Sequence, residues 1–484
     1  MFWNDFAAMS FANALRWSFL SELAAKVVAP LVFIILARLL APEDFGVVAA
    51  ATMVVAFSQI FWEAGMGKAL IQYQGDRAAA ADAAFWINSV LALAIATVLI
   101  VVADGVAERI FHDQRVALVL QVMSLQVVLS AAVSVHTALL QKDMKFKPLF
   151  WVRLATVAVP GLISIPLALY GLGYWALIAG TLIGQAAQVI ILWRMAQWRP
   201  RCSFDAQIAR EIGRFGAWVA VSGLLAWFYV WADALIVGMY LGSHELGLYR
   251  TGNQFAMMIF AILFGPIVPV LYSHLSTMKQ DRERLGNAIE KVIKVLTLIA
   301  IPVAFIVFSL AEPIAAALFG DKWQGIGLVI GVMALMHGFS WVVGMNGEVY
   351  RAMGKPSYET IVSAATLAVY LGAYLVSVRQ GLDAFVWTRL ILALGALVLH
   401  LFVLRRVLSI SLAPIARYLL AISIASAVAV TLVQILASPN LTGAWWQLTV
   451  GGTLSLIFVG LAIFLIDRNG TLREVAELIR SRAR

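Results

Sequence analysis

Fourteen apolar runs of roughly 20 residues each dominate this sequence, and a run of that length can cross the hydrocarbon core of a bilayer as one helix. Hydrophobic residues make up 62% of the 484 residues and charged residues 13%, which is more apolar surface than a soluble fold can bury. The sequence therefore predicts an all-α integral membrane protein and excludes soluble enzymes, secreted disulfide scaffolds and disordered chains. The runs are centred near Val28, Val55, Leu93, Val128, Gly161, Gly184, Leu225, Ile262, Ile299, Ala334, Leu367, Ala393, Ala425 and Leu456.

The distribution of lysines and arginines predicts the orientation, because basic residues concentrate in cytoplasmic connections. With the N-terminus placed in the cytoplasm, most of the 35 basic residues fall in cytoplasmic segments. This placement predicts that both termini are cytoplasmic. The net charge of +9 is then explained by topology, and we expect no nucleic-acid partner. The single cysteine, Cys202, excludes an internal disulfide, and no Cys/His cluster indicates a metal site.

Three short patterns recur in the same order about 200 residues apart. Leu40–Gly46 and Leu241–Gly247 both read Leu, small, two variable residues, acidic, bulky apolar, Gly. The other two pairs are Lys147-Pro148 with Lys355-Pro356, and Gly171-Leu172 with Gly381-Leu382. Each pair falls at the same place in a six-span half, and internal repeats of this kind are typical of transporters.

These observations predict five segments. Residues 1–198 form an N-terminal six-helix lobe, 199–214 a cytoplasmic linker, and 215–408 a C-terminal six-helix lobe. Residues 409–467 add two further transmembrane helices. Residues 468–484 begin with a capping box and continue as an amphipathic helix, which lies either on the cytoplasmic leaflet or in solvent.

Several stretches resemble the Wzx-type polysaccharide-repeat flippases of the multidrug/oligosaccharidyl-lipid/polysaccharide exporter superfamily, most closely the branch serving colanic-acid-like exopolysaccharides. The resemblance covers roughly the first 400 residues and is weakest over the last two spans. It rests on Ala37–Gly46 continuing through Gly65–Gln72, Gly171–Trp175, Ala232–Gly238, Leu246–Tyr249, Ala311–Pro313 and Gly320–Trp323.

The resemblance implies a two-lobed helical protein in the bacterial inner membrane. It implies that the protein flips an undecaprenyl-pyrophosphate-linked oligosaccharide by alternating access, with no catalytic residues. The expected partners are this substrate and membrane lipids, with other polysaccharide-assembly proteins as candidates. No cofactor is expected, and coupling to H⁺ or Na⁺ is left open.

Charged residues inside apolar runs are the candidates for function, because charge at membrane depth is costly and usually faces a hydrated interior. Glu22 and Lys26 lie one turn apart in span one, and Pro30 is expected to bend that helix at the charged pair. The pair forms either a gate or a neutral anchor for span one. Glu63, at the end of span two, is either a cavity acid or an interfacial one.

Spans seven and eight hold a second group. Asp233 is a candidate proton or cation site, and Arg250 is its candidate partner or a phosphate clamp. Asn253 and Gln254 share the face of Arg250. The alternative for Asp233 and Arg250 is a structural bridge between adjacent helices.

Further candidates lie near span ends. Glu348 and Arg351 share a face of span ten with His337, for which a packing role is the more favoured reading. Arg153 and Arg389 either line the path or reach the interface by snorkelling. Span four carries a polar stripe, for which hydrogen bonding between helices is favoured over contact with sugars: Ser130, Ser134, Thr137 and Gln141.

The leading function is therefore a lipid-linked oligosaccharide flippase. A lipid II flippase and a drug or cation antiporter of the same superfamily are transporter alternatives. A membrane polysaccharide polymerase or ligase is the alternative from another class. It would require a large outside loop, which the sequence lacks.

Overall fold

The computed structural model describes Lys26, residues 28–63, 66–203, 205–265, 267, 282–344, 346–353, 357–408, 410–436, 441 and 443–467. Glu22 and the predicted tail helix over 468–484 lie outside the described residues.

Fourteen apolar helices account for nearly all of the described chain, and we number them in order. The first seven are α1 Val28–Leu39, α2 Pro42–Glu63, α3 Arg77–Val106, α4 Arg115–Lys142, α5 Phe146–Leu169, α6 Tyr174–Met195 and α7, residues 206–241. The others are α8, residues 243–264, then α9 Arg282–Ser309, α10 Ile326–Val342, α11 Ser357–Ser377, α12 Leu382–Leu408, α13 Leu412–Leu436 and α14 Gly452–Ile466.

Helices α7 and α8 belong to one helical stretch, Ala206–Phe264, which is interrupted at Gly242. Gly242 has φ of 86°, a conformation that glycine adopts without strain. Twelve stretches of the described chain are long and apolar enough to cross a membrane, and one of them contains both α7 and α8. With the shorter helix α1, this gives the predicted fourteen helices. No strand occurs in the described ranges, so the predicted fold class is confirmed.

The chain divides into two compact units, residues 1–247 and 248–484. In the N-terminal unit, α5 packs along α6, α3 along α4, and α2 along α4. In the C-terminal unit, α9 packs against α10 and α13, and α10 packs against α12. Helix α7 joins the N-terminal unit, where the indole of Trp227 donates to the carbonyl of Met53 at 3.3 Å. The six-helix lobes of the sequence repeat stay a prediction.

Polar side chains and glycines set the helix ends. The carboxylate of Asp76 accepts from the backbone of Ala78 at 2.9 Å and so caps α3. Asp205 caps α7 in the same way, by accepting from Gln207 at 2.8 Å. Gly171 (φ 80°) and Gly381 (φ 96°), which the sequence repeat pairs, each adopt positive φ in the turn before α6 or α12.

Ionic contacts brace one end of the N-terminal unit, at the turns that follow α2 and α4. The guanidinium of Arg77 donates two hydrogen bonds to Asp143, at 2.6 and 2.9 Å. Those hydrogen bonds hold the pKa of the Asp143 carboxyl below its usual value, against a smaller opposing effect of burial. The ammonium of Lys142 donates to the carbonyls of Leu70 and Tyr73 at 3.0 and 2.6 Å. These hydrogen bonds connect α4 to the short helix Met66–Gln72, which follows α2, and to the residue after it.

The connection between α6 and α7 folds onto the same end of the unit. Asp82 of α3 is 2% exposed, and its carboxylate accepts from the backbone of Arg201 at 3.1 Å and from the hydroxyl of Ser203 at 3.0 Å. The indole of Trp86 donates to the carbonyl of Arg201 at 2.8 Å. The connection is therefore held to α3 by hydrogen bonds.

Candidate substrate cavity

A polar cavity of about 580 Å³ lies inside the N-terminal unit, among helices that are otherwise apolar. Its uncharged hydrogen-bonding residues come from three different crossings. They are Gln59 of α2, Ser130, Ser134, Thr137 and Gln141 of α4, and Gln188 of α6. Two charged residues, Glu63 and Lys68, also line it. The charges are opposite, so the cavity offers hydrogen-bonding groups with little net charge.

Helical periodicity explains the contribution of α4. The four polar residues of that helix recur at spacings of four, three and four, which place them on one face. The hydroxyl of Ser134 accepts from the side-chain amide of Asn88 at 2.8 Å, so this residue also makes the hydrogen bond between helices that was favoured from the sequence. The hydroxyl of Thr137 donates to the carbonyl of Val133 within its own helix, at 2.9 Å. The stripe thus serves helix packing at one residue and lines the cavity at all four.

Glu63 is the predicted site residue that the structure places at this cavity. Its carboxylate accepts a hydrogen bond from the side chain of Gln59 at 2.6 Å, one helical turn away. Lys68, in the short helix Met66–Gln72, was not singled out by sequence analysis. The sequence pattern that could have indicated Lys68 is a single lysine in the apolar segment that follows Glu63.

The other candidates of the N-terminal unit lie elsewhere. Asp233 of α7 is 5% exposed, and its carboxylate accepts from the backbone of Ala234 at 2.7 Å. Lys26 and Pro30, near the start of α1, are half-buried, and Arg153 of α5 is exposed. The predicted roles of these residues stay predictions.

In the C-terminal unit, the predicted polar face of α8 meets α10. The ring nitrogen Nε2 of His337 lies 3.0 Å from Oδ1 of Asn253. His337 is therefore hydrogen-bonded, as its favoured packing role requires, while Arg250 and Gln254 are half-buried on α8. Further along the same two helices, Phe264 of α8 stacks on Trp341 of α10, with ring centroids 4.8 Å apart.

Two further arginines of the C-terminal unit have specific partners. Arg351 pairs with Glu348 at 2.5 Å and with Glu359 at 3.5 Å. Two predicted site residues, Arg351 and Glu348, therefore form an ion pair, and the two carboxylates neutralise the charge of the arginine. Arg389 donates to the hydroxyl of Tyr249 at 2.8 Å. Sequence spacing indicates Glu348 as a partner, because it lies three residues before Arg351. It does not indicate that Glu359 pairs with Arg351 or that Tyr249 binds Arg389.

A second cavity, of about 470 Å³, lies among α9, α13 and the segment before α14. Its polar lining includes Glu312, Gln434 and Gln447. Within the described ranges, no group of three or more His, Cys, Asp or Glu residues is placed to hold a metal ion.

The fold is similar to those of two solved membrane proteins. The inward closed conformation of the lipid II flippase MurJ superposes with a TM-score of 0.76 at 12% identity, covering 94% of this chain and 99% of that one. An inward-facing multidrug-resistance MATE transporter of the MOP superfamily gives 0.59 at 15% identity, covering 79% and 95%.

The chain belongs to the polysaccharide biosynthesis protein family, whose model matches residues 35–327. It is 30% identical over 323 residues to the succinoglycan biosynthesis transport protein ExoT of Rhizobium meliloti (strain 1021), covering 66% of this chain and 65% of that relative. It is 20% identical over 361 residues to the lipopolysaccharide biosynthesis protein WzxC of Escherichia coli (strain K12), covering 73% and 70%. The resemblance inferred from the sequence motifs is therefore confirmed.

Proposed function

We propose that this protein flips an undecaprenyl-pyrophosphate-linked oligosaccharide repeat unit from the cytoplasmic to the outer leaflet of the bacterial inner membrane. The product would supply exopolysaccharide or O-antigen-type synthesis. Membership of the polysaccharide biosynthesis family supports the substrate class, as do relatives named for succinoglycan transport and lipopolysaccharide biosynthesis.

The observation that carries the proposal is the polar cavity of little net charge within apolar helices. Moving one hydroxyl from water into hydrocarbon without a hydrogen bond costs about 4–8 kcal/mol, and an oligosaccharide carries many hydroxyls. Sugars therefore cross a bilayer at a useful rate when protein groups replace their water. Gln59, Gln141 and Gln188 offer both donors and acceptors to such hydroxyls.

The pyrophosphate requires different chemistry from the sugars. Arginine matches phosphate oxygens with paired donors, and Arg250 shares its helix face with the amides of Asn253 and Gln254. We assign these three residues to the headgroup, with Lys26, Arg153, Arg351 and Arg389 as further cations of the path. Arg351 and Arg389 make the weaker case, because carboxylates hold the first and a tyrosine hydroxyl holds the second.

Transport would follow alternating access, with both termini in the cytoplasm as the basic residues predict. Asp233 is our candidate for coupling to H⁺ or Na⁺, and Glu22, Pro30, Glu63 and Glu348 are candidates for gating. No catalytic step is assigned to any residue. Other polysaccharide-assembly proteins are proposed partners, since the flipped unit must be polymerised.

The alternatives are weaker. The likeness to MurJ at 12% identity concerns the fold and does not favour lipid II as the substrate. A cationic-drug antiporter would favour an acidic cavity, whereas Glu63 is balanced by Lys68. A polymerase or ligase lacks support from the relatives, which are named for transport and biosynthesis.

Deletion of the gene tests the function directly. We expect lipid-linked oligosaccharide to accumulate in the inner leaflet and polymer to disappear, measured by lipid extraction and by a leaflet-specific glycosidase or lectin assay. Normal polymer without accumulation would refute the proposal.

A matched pair of threonine variants tests the cavity. Thr137 and Thr97 each donate to a carbonyl of their own helix at 2.9 Å, but Thr137 lines the cavity and Thr97 is exposed on α3. We expect Thr137→Val to lower export several-fold, and Thr97→Val to leave it unchanged at equal protein level. Equal export by the two variants would contradict a sugar-contacting role for the cavity.

A further inference from the structure

The cavity of about 470 Å³ in the C-terminal unit lies where α9 and α13 end and α14 begins. In the predicted orientation, these helix ends are at the outer side of the membrane. Trp445 and Trp446 directly precede the lining residue Gln447 and are 62% and 63% exposed. Exposed tryptophans are typical of the headgroup level of a bilayer. The cavity is therefore at the depth where lipid headgroups lie.

Several polar groups of this cavity are left as hydrogen-bond acceptors. Nε2 of Gln434 donates to the carbonyl of Ser309, and Nε2 of Gln447 donates to the carbonyl of Leu441 at 3.1 Å. Each amide has thus used a donor on the backbone, and its Oε1 remains an acceptor. The hydroxyl of Ser309 donates to the carbonyl of Ile306 at 2.9 Å, so its oxygen can likewise accept. A matching ligand has to supply donors.

The charge of the cavity is negative. Glu312, in the short helix Ala311–Ile314 directly after α9, lines it. Among the lining residues that the structure describes, no lysine, arginine or histidine balances this carboxylate. The carboxylate lies against α10, because a Cβ atom built on Gly327 would be 2.5 Å from one of its oxygens. The cavity thus combines one negative charge with neutral acceptors.

A primary ammonium group fits this combination. It carries a positive charge and three N–H donors, and it has no acceptor that would need a partner. A phosphate or pyrophosphate group fits poorly, since its oxygens are acceptors and its charge repels that of Glu312. The cavity therefore differs in chemistry from the cationic residues that we assign to the pyrophosphate of the transported lipid.

An apolar groove of about 480 Å³ begins beside the cavity, and Leu310 lines both. On α9 the groove extends from Val303 to Leu310, a length of about 10 Å at 1.5 Å per residue. Its opposite side is formed by residues near the start of α14, among them Leu448, Gly452 and Leu456. A molecule with its ammonium in the cavity can place a hydrocarbon chain in this groove.

We propose that the ends of α9 and α13 and the start of α14 form a binding site for one molecule of phosphatidylethanolamine. Its ammonium donates to Glu312 and to the amide oxygens of Gln434 and Gln447, and one acyl chain lies in the groove. The lipid bridges α9 and α14 at the outer side. The site goes beyond the proposed flippase function and does not depend on it, because none of these residues is assigned to the transport path.

A series of lipids with the same acyl chains tests the site. Delipidated protein in a mild detergent is mixed with phosphatidylethanolamine, phosphatidylcholine or phosphatidylglycerol, and binding is measured by native mass spectrometry. Phosphatidylcholine keeps the positive charge but has no N–H donor, and phosphatidylglycerol is anionic. Because lipids also bind elsewhere on a membrane protein, each lipid is compared between the parent and Glu312→Gln. The matched control is Glu283→Gln, an exposed glutamate at the opposite end of α9.

We expect Glu312→Gln to weaken the binding of one phosphatidylethanolamine molecule about tenfold, the loss that a hydrogen bond to a charged group accounts for. Binding of the other two lipids should be unchanged, and Glu283→Gln should match the parent throughout. Parent-like phosphatidylethanolamine binding by Glu312→Gln would overturn the proposal. An equal loss of phosphatidylcholine would also overturn it, as would a larger loss of phosphatidylglycerol or of undecaprenyl phosphate.

A groove variant tests the acyl chain without changing the carboxylate. Thr453 lines the groove and not the cavity, whereas the exposed Ile457, one turn later on α14, lines neither. We expect Thr453→Trp to abolish binding of the same lipid molecule and Ile457→Trp to retain it. Thermal unfolding without lipid controls for folding, and added phosphatidylethanolamine should stabilise the parent and Ile457→Trp but not Thr453→Trp. Equal stabilisation of all three proteins would contradict the proposed position of the chain.

Discussion

The guanidinium of Arg389 donates to the hydroxyl of Tyr249 at 2.8 Å and also lies over the ring of Tyr374, 5.6 Å from its centroid. Tyr249 itself is 0% exposed. The guanidinium of Arg389 thus contacts two aromatic side chains of the C-terminal unit, Tyr249 through a hydrogen bond and Tyr374 through a cation–π contact. Arginine can make both contacts together, whereas lysine offers a point charge.

We predict that Arg389→Lys destabilises the protein although it keeps the charge. A hydrogen bond to a charged group is worth about 1.5–3 kcal/mol. The ammonium of a lysine is a point charge on a different stem and would not keep both this hydrogen bond and the cation–π contact. Thermal unfolding in one detergent measures the effect, with Arg379→Lys, an exposed arginine, as the control. Equal melting temperatures for both variants would contradict the structural role of Arg389.

Gly46→Ala should be destabilising and Gly395→Ala stabilising. The added methyl at residue 46 meets a backbone carbonyl that cannot rotate away, which costs about 1–3 kcal/mol or more. Gly395 lies inside α12 with no atom within 4 Å of a built Cβ, so alanine there gains about 0.4–1 kcal/mol from the unfolded chain. Chemical or thermal unfolding of both variants checks the opposite signs.

Arg250→Ala should trap lipid-linked oligosaccharide on the cytoplasmic leaflet, because the variant removes the cation assigned to the pyrophosphate. Arg250→Lys should retain part of the activity, since the charge persists without the paired donors. Leaflet-resolved analysis of the extracted lipids, at matched protein level, gives the result. Normal export by Arg250→Ala would remove the residue from the proposed path.

Asp233→Asn should uncouple transport from the ion gradient. The buried carboxylate of Asp233 can bind H⁺ or Na⁺, whereas the amide of asparagine carries no charge to neutralise. Export is followed while the proton and sodium gradients are collapsed separately by ionophores. A variant that transports with the parent's sensitivity to both gradients would count against coupling at this residue.

The Arg77–Asp143 pair should stabilise the protein less as the pH falls. The pKa of Asp143 is held below its ordinary value of 3.8 in the folded protein, so its contribution is present above 3.8 and is lost as the pH drops through the lowered pKa. Both side chains are partly exposed, which limits the contribution to about 0.2–1 kcal/mol. The stability difference between the parent and Asp143→Asn, measured from pH 7 to pH 3, should shrink towards the acid end.

Several elements followed from the sequence because their causes are local. The fourteen apolar helices of the described chain depend on runs of apolar residues, and the turn glycines Gly171 and Gly381 mark the same place in each half of the repeat. The polar stripe of α4 also followed, since helical spacing alone places Ser134, Thr137 and Gln141 on one side of their helix. The spacing does not show what this side of the helix faces. The favoured interpretation, hydrogen bonding between helices, is correct for Ser134 but does not predict that the whole stripe lines a cavity.

The sequence by itself determined the helical class, the number of apolar helices, the family and the existence of two matching motifs. Only the tertiary structure shows that Gly46 packs against the backbone of Ser243 and Gly247 against that of Pro42. It also shows that His244 contacts Glu43 and that Arg389 donates to Tyr249. The physical reason is that hydropathy and periodicity act along one helix, over neighbouring turns. Which faces meet depends on close packing between helices that are distant in the chain, and one sequence does not record those distances.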